Sequence, residues 1–250
     1  MLLHCASALL ADDGVLWLAG ENKAGIKSAG TTLKLYFKQC RKLDNARHCG
    51  LYEAGEVLQA NTFHPSEYRE RWVLNHAESE LNVISYPGVF AHGRLDEGTG
   101  LLLDELAKMK LAGDVIDFAC GAGVIGASIA ARNTDASVTM LDSSALAVKS
   151  CEETLEINKL NCHVLASDGL SEIDRRFDLV VSNPPIHAGA KTDNQLGMRL
   201  LDSVHTHIRP GGKLILVANI HLPYEKWLGS RFKRVHELAT NQNFKVITAG

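Results

Sequence analysis

The sequence predicts an α/β fold built on a mostly parallel sheet with helices on both faces, and three observations predict it. From residue 114 onward, short apolar runs alternate with segments of helical periodicity. A glycine-rich turn, "DFACGAGVIG" (117–126), closes the first of these runs. Polar residues stand at the ends of four successive runs: Asp117, Asp142, Asp168 and Asn183. In an open parallel sheet a ligand binds beyond the C-terminal strand ends, at the topological switch point, so these four mark the candidate site.

The elements follow in order. "GVLWLAGENKAGIKSAG" reads as a strand and then a helix, and "LDNARHCGLYEAG" follows it. Residues 1–60 thus read as a partial α/β domain, the tail of a unit whose earlier strands are absent. Residues 61–85 read as a connector with a helix and a hairpin strand, and residues 86–250 as a second, complete domain. There "DVIDFA" (114–119) is a buried strand, and a helix covers about 123–132. "SVTMLD" (137–142) is a strand, and "SALAVKSCEETLEINKL" a helix with apolar spacing near 3.6. "CHVLAS" (162–167) is a strand followed by a short helical turn. "FDLVVSN" (177–183) is a strand, "NQLGMRLLDSVHTHI" a helix, "RPGG" a turn and "KLILVAN" (213–219) a strand. A short helix near 223–229 precedes two final strands, "KRVHELAT" and "FKVITAG", joined as an antiparallel hairpin.

Composition narrows the class. The chain has 250 residues, 46% hydrophobic and 22% charged, which suits a soluble protein with a sizeable core. A net charge of −3 argues against a broadly basic nucleic-acid coat but leaves room for a local basic groove. The longest apolar runs are strand-length, well short of the roughly 18–20 residues of a membrane span. "MLLHCASALLADDG" lacks the basic start of a signal peptide. The six cysteines form no Cys-x-x-Cys pair, which fits a reduced, cytoplasmic setting. The eleven histidines are scattered, and His205 and His207, two apart on a predicted helix, point to different faces, so no metal site is expected.

The loop "DFACGAGVIG" places Gly121, Gly123 and Gly126 at a spacing that nucleotide-binding turns share, dehydrogenases included. Two details favour S-adenosylmethionine (SAM). Asp117 precedes the loop directly, where a carboxylate can meet the cofactor's ammonium but would repel a pyrophosphate. Ser167 and Asp168 end the third strand, where they can accept from an adenine amine. Asp142 is placed to accept both ribose hydroxyls. The expected cofactor site is therefore Asp117, Ala119, Cys120, Gly121, Gly123, Asp142, Ser143, Ser167, Asp168 and Asn183.

"SNPPIHAG" (182–189) supplies the chemistry. An acid before a glycine loop, an acid after the second strand, Asp after the third and Asn-Pro-Pro after the fourth resemble the class I SAM-dependent methyltransferases that act on planar amines. With "YPGVFAHGRLDEGTGLLLDEL" (86–106) and "LILVANIHLPY" (214–224), the chain resembles the ribosomal RNA small subunit methyltransferase C family over nearly its whole length. "GENKAGIKSAG" and "ARHCGLYEAG" resemble the end of that family's N-terminal domain, a degenerate copy of the catalytic fold. The resemblance implies a Rossmann-like, mostly parallel seven-stranded sheet with a C-terminal antiparallel hairpin. It also implies methyl transfer from SAM to the N2 amine of a guanine in 16S rRNA, on free RNA or a small ribosomal subunit.

The exocyclic amine of a purine is a poor nucleophile, because its lone pair is shared with the ring. Two acceptors on its N–H groups would draw the nitrogen toward a pyramid and free that pair. The catalytic candidates are the Asn183 side-chain oxygen and the carbonyl of Pro184, with Pro185 stiffening the turn. A base inside an RNA helix must be flipped out to reach them. The family places an aromatic ring after Asn-Pro-Pro, whereas this chain has Ile186, so His187 or Phe90 is expected to supply the stacking plane. Ala119 stands where the family has glycine, a substitution that is strained if φ is positive. Two other readings stay open: an Asn-Pro-Pro enzyme for adenine N6 or a protein glutamine, and a non-catalytic module that binds RNA or ribosomes. The first domain reads as N-terminally shortened, and residues 1–60 are expected to expose apolar strand edges and to pair as a homodimer or be partly unstable.

Overall fold

The computed structural model describes residues 1–170, 173–184 and 203–250. Packing divides the chain into two units, Met1–Tyr68 and Arg69–Gly250. Of the residues read as a connector, 61–68 fall in the first unit and 69–85 in the second.

The first unit holds α1 (Leu2–Leu9), β1 (Val15–Glu21), a short α2 (Ala29–Leu33), β2 (Phe37–Ala46) and β3 (Cys49–Val57). Its sheet has the order β1-β3-β2, with every pair antiparallel. Ile26, Ala29, Leu33, Phe37, Tyr52 and Ala54 form its core. Side chains alternate along β1, so Leu16 and Leu18 turn inward while Val15 and Trp17 are 54% and 70% exposed. β2 and β3 are joined by Arg47 and His48, both at positive φ (50° and 63°), the geometry of a two-residue hairpin turn made without glycine.

The second unit opens with a hairpin, β4 (Glu70–His76) and β5 (Ser79–Ser85), turned at Ala77 and Glu78, again at positive φ. Helix α3 (Glu97–Ala107) follows. The main sheet comprises β6 (Gly113–Phe118), β7 (Ala136–Asp142), β8 (His163–Ala166), β9 (Phe177–Ser182), β10 (Ile208–Asn219), β11 (Val235–Thr240) and β12 (Phe244–Ala249). Its order is β11-β12-β10-β9-β6-β7-β8, seven strands as expected, with β12 antiparallel to both neighbours and β6 to β10 parallel. Among the described residues, helices α4 (Val124–Arg132), α5 (Ala145–Asn158) and α6 (Tyr224–Gly229) accompany it.

Local sequence explains these elements. β6 and β9 are nearly continuous apolar runs because the sheet is covered on both faces by two separate cores. The buried hydroxyl of Ser182 is satisfied by donating to the Phe118 carbonyl at 2.8 Å. On α5, Ala147, Cys151 and Leu155 recur every fourth residue and form its buried stripe. Ser144 caps α5 by accepting from the Ala147 N–H, and Lys159 ends it in the left-handed region at φ 56°. The "RPGG" turn is a bulge inside β10: the pairing with β9 shifts register between Ile208 and Lys213, with Gly211 at φ 83°. The helix expected over "NQLGMRLLDSVHTHI" begins outside the described residues, and its end, Val204–His207, is a 3₁₀ turn. Among the described residues no helix is long and apolar enough to cross a membrane.

Strand order reverses between β6 and β9, since β7 and β8 lie to one side of that pair and β10 to the other. The C-terminal ends of β6 and β9 therefore mark a switch point, where a crevice is expected.

Candidate active site

The crevice is a cavity of about 570 Å³. Its walls run from Ser167 and Gly169 after β8, past Asp142 and Ser143 after β7 and Ala119 and Gly121 after β6, to Asn183 and Pro184 after β9. Asn219, Leu222 and Tyr224 close it beyond β10, and Gly88, Val89, Phe90, Asp96 and Phe244 form the facing side.

The glycine loop is shaped by carboxylates beneath it. Gly121 lies at φ 56° and donates its N–H to Asp142 Oδ2 at 2.9 Å. The other oxygen, Oδ1, accepts from the Ser144 N–H at 2.9 Å, so Asp142 ties the loop to the start of α5. Gly123 lies at φ 79°, and a Cβ there would meet Cys151 Sγ at 2.8 Å. Any side chain at Gly126 would strike Met140 at 2.7 Å. The spacing of the three glycines is thus a packing requirement as well as a turn requirement. Ala119 adopts φ 57°, so the alanine sits in the left-handed region where it carries strain.

Asp117 is wholly buried. Its Oδ2 accepts from the Gly126 N–H at 2.9 Å, and Oδ1 has no partner among the described residues. Burial pushes its carboxyl up to about 7; the Gly126 hydrogen bond opposes that shift and the nearby Asp142 charge adds to it.

Of the residues expected from sequence, Phe90, Ala119, Gly121, Asp142, Ser143, Ser167, Asn183 and Pro184 line one cavity. The other four, Asp117, Cys120, Gly123 and Asp168, lie beside this cavity rather than on its wall. Asp117 is buried beneath the loop, where it braces α4 with one oxygen and keeps the other unpartnered among the described residues. Cys120 turns into the core, where a hydrogen bond with Cys151 and burial push its thiol up. Gly123 faces Cys151. Asp168 is exposed between Ser167 and Gly169, and Ser167 spends its hydroxyl on the Gly169 carbonyl at 2.8 Å. Pro185, Ile186 and His187 lie outside the described residues.

Phe90 is held at the cavity mouth by a tied loop. Tyr86 is buried and donates to Glu153 Oε1 at 2.7 Å, which anchors the loop's start on α5. Ser85 Oγ accepts from the Gly93 N–H at 3.0 Å and pairs with His92 Nδ1 at 2.9 Å. Gly88, Ala91 and Gly93 take positive φ between these ties, and Phe90 projects 51% exposed.

Sequence reasoning missed Asp96, Thr99, Asn219, Tyr224 and Phe244. Asp96 caps α3 through a hydrogen bond from the Thr99 N–H at 2.9 Å. Asn183 Nδ2 donates to Asp96 Oδ2 at 3.1 Å and to Thr99 Oγ1 at 2.9 Å. The contact joins residues 87 positions apart, which no local spacing announces. Tyr224 is buried, and its hydroxyl has no partner among the described residues; desolvation raises its pKa and keeps it a neutral donor.

Comparison with known proteins agrees with this architecture. Residues 80–248 match the Methyltransferase small domain family, and residues 1–72 match the Methyltransferase small domain N-terminal family. The chain is 40% identical over 245 residues to the ribosomal RNA small subunit methyltransferase C of Shewanella loihica, covering 98% of this chain and 71% of that protein. It is 42% identical over 241 residues to the Pseudomonas aeruginosa protein of the same name, covering 94% and 70%. The fold superimposes with a TM-score of 0.88 on the T. thermophilus 16S rRNA N2 G1207 methyltransferase solved with AdoMet and guanosine, at 24% identity, covering 99% of this chain and 67% of that one. The seven-stranded sheet is therefore that of a class I methyltransferase, and the chain belongs to the ribosomal RNA small subunit methyltransferase C family.

Proposed function

We propose that this chain transfers a methyl group from SAM to the exocyclic N2 amine of a guanine in 16S rRNA, acting on the RNA or on a small ribosomal subunit in the cytoplasm. The observation that carries the reading is that Asn183 and Pro184 share one cavity with Ala119, Gly121, Asp142 and Ser167. The cofactor would lie along β6 to β8. Its adenosine would meet Asp142, Ser143 and Ser167, and its methionine part would cross the glycine loop toward Asn183. The acceptor would enter from the β10 side, between Phe90 and the wall of Asn219, Leu222 and Tyr224.

The roles follow from that division. Asn183 Oδ1 and the Pro184 carbonyl accept from the guanine amine, and the nitrogen lone pair attacks the methyl as S-adenosylhomocysteine leaves. The methylated aminium is acidic and loses its proton without a strong base. Phe90 is the stacking plane for the flipped base, worth roughly 1–3 kcal/mol. SAM supplies the methyl; the chain's own part is to hold the amine in line and its N–H groups occupied.

Labelled SAM offered with undermethylated small subunits, free 16S rRNA, DNA and protein tests the acceptor, with nuclease mapping of the product. Asn183→Ala should lower turnover roughly 10²–10³-fold, by analogy with a lost oxyanion-hole contact, while SAM affinity stays within several-fold. Unchanged turnover in that variant, or label only in DNA or protein, overturns the reading. Self-association through residues 1–60 is supported by the exposed Val15, Trp17, Leu35 and Leu43; a strictly monomeric mass by light scattering would exclude it.

A further inference from the structure

We infer that Asp96 and Thr99 are positioning residues that fix the Asn183 amide so that its oxygen, rather than its nitrogen, faces the acceptor amine. This rests on the reading of Asn183 as the acceptor for that amine.

A terminal amide has two ends of nearly equal size and opposite function. Its last torsion is broad and roughly two-fold, so the side chain itself does not choose between them. With the oxygen turned to the substrate, the amide accepts an N–H of the amine. With the nitrogen turned there, donor meets donor and the lone pair is not freed. Something outside the residue must select the productive orientation.

The N-terminal end of α3 selects it. Asp96 carries a carboxylate, which accepts and cannot donate. Its Oδ2 takes one Asn183 hydrogen at 3.1 Å, and Thr99 Oγ1 takes the other at 2.9 Å. Both Nδ2 hydrogens are then spent, and Oδ1 lies at the opposite end. Reversing the amide would set its oxygen against the Asp96 carboxylate, acceptor against acceptor at a half-buried site, and the Thr99 hydroxyl could meet that oxygen only by turning from acceptor to donor.

The selector is itself rigid. The same Asp96 oxygen accepts the Thr99 N–H at 2.9 Å as the cap of α3. Thr99 is 6% exposed, and Leu102, Leu103 and Leu106 seat the helix in the core. Gly98, between them, has no room for a side chain: a Cβ would lie 2.9 Å from Phe244 Cδ1 and 3.2 Å from Asp96 Oδ2. Each of Asp96, Gly98 and Thr99 in "LDEGTG" therefore serves one geometry at the cavity wall. A helix cap alone needs Asp96 but neither the Thr99 hydroxyl nor the approach to Asn183.

The test uses Asp96→Asn, which keeps a good cap, Thr99→Val, which keeps the shape, their combination, and Thr99→Ser. Turnover at saturating SAM is read beside SAM affinity by calorimetry and the Asn183 side-chain amide signals by ¹⁵N NMR, identified by their loss in Asn183→Asp. Each single variant should lower turnover about 10-fold and the double roughly 10²–10³-fold, the range for a lost preorganised contact. SAM affinity should stay within threefold, and Thr99→Ser should recover turnover to within threefold of the parent. The Asn183 amide pair should be sharp and slow to exchange in the parent, and averaged and fast to exchange in the double variant. A folded double variant with an unchanged amide pair, or with turnover within twofold of the parent, overturns the inference. If the parent methylates none of the acceptors offered while the amide pair still responds, the positioning stands and the acceptor reading falls.

Discussion

Replacing Asp117 with asparagine should change how stability depends on pH. Asp117 is wholly buried, and burial raises its carboxyl from an ordinary 3.8 to about 7. Below pH 4 the native and unfolded chains both hold the proton, so the group contributes nothing to the pH dependence. Between about pH 4 and 7 the native state keeps a proton that the unfolded chain has released. Stability then falls with rising pH by about 1.4 kcal/mol per unit. Above pH 7 both states are ionised and the whole penalty remains. Over the shift from 3.8 to about 7 it amounts to about 4 kcal/mol. Asparagine keeps an oxygen for the Gly126 N–H and has no charge to desolvate. Urea unfolding at half-unit steps from pH 4.5 to 8 should show Asp117→Asn gaining on the parent as pH rises, with the gain levelling near pH 7. Two curves that run parallel across that range would refute the buried, proton-holding carboxyl. The unpartnered Oδ1 adds a second readout. If the cofactor's ammonium reaches it, directly or through water, binding below pH 7 should release a proton from the parent and none from the variant, measured by calorimetry in buffers of different ionisation enthalpy.

The remaining predictions concern backbone strain. Ala119→Gly removes a left-handed alanine at φ 57°; roughly 1–2 kcal/mol of strain is relieved against roughly 0.5–1 kcal/mol of added backbone entropy, a net gain of about 0.5–1 kcal/mol visible as a higher urea midpoint. The pair Ala77→Asn and Glu78→Gly supplies the residues that the β4-β5 turn geometry favours, and should raise stability by about 1 kcal/mol with SAM affinity unchanged.

Much of the second unit could be read because its physics is local. Strands covered on both faces are written as apolar runs, and the run ends carry the polar residues that meet at the crevice. What was not legible depended on distance or on strain. The β2-β3 and β4-β5 hairpins turn on Arg47-His48 and Ala77-Glu78 rather than Asn-Gly, so no turn signal announced them; tertiary pairing of the strands overrides the local cost. Asp117 and Asp168 end strands, and a strand end can carry a brace as well as a ligand contact. Asp117 braces α4 through the Gly126 N–H, and Asp168 is exposed. Asp96 and Thr99 meet Asn183 only through the tertiary fold, so no local spacing tied them to it.

The first unit's strand order β1-β3-β2 matches β10-β12-β11 of the second, in each case a strand followed by a hairpin whose second member inserts beside it. The glycine turn, Asp142 and Asn183 follow β6, β7 and β9, all in the second unit. Every residue lining the large cavity lies between Gly88 and Phe244. Cofactor binding should therefore be indifferent to the surface of the first sheet, whatever that surface contacts. Trp17 is the sharpest probe, being 70% exposed, with its Nε1 donating to Glu53 at 2.9 Å. Trp17→Lys should leave SAM affinity within twofold while abolishing any self-association seen by light scattering. A large loss of SAM affinity in that folded variant would mean that the two units share the cofactor site, and would undo the division of labour argued from their topology.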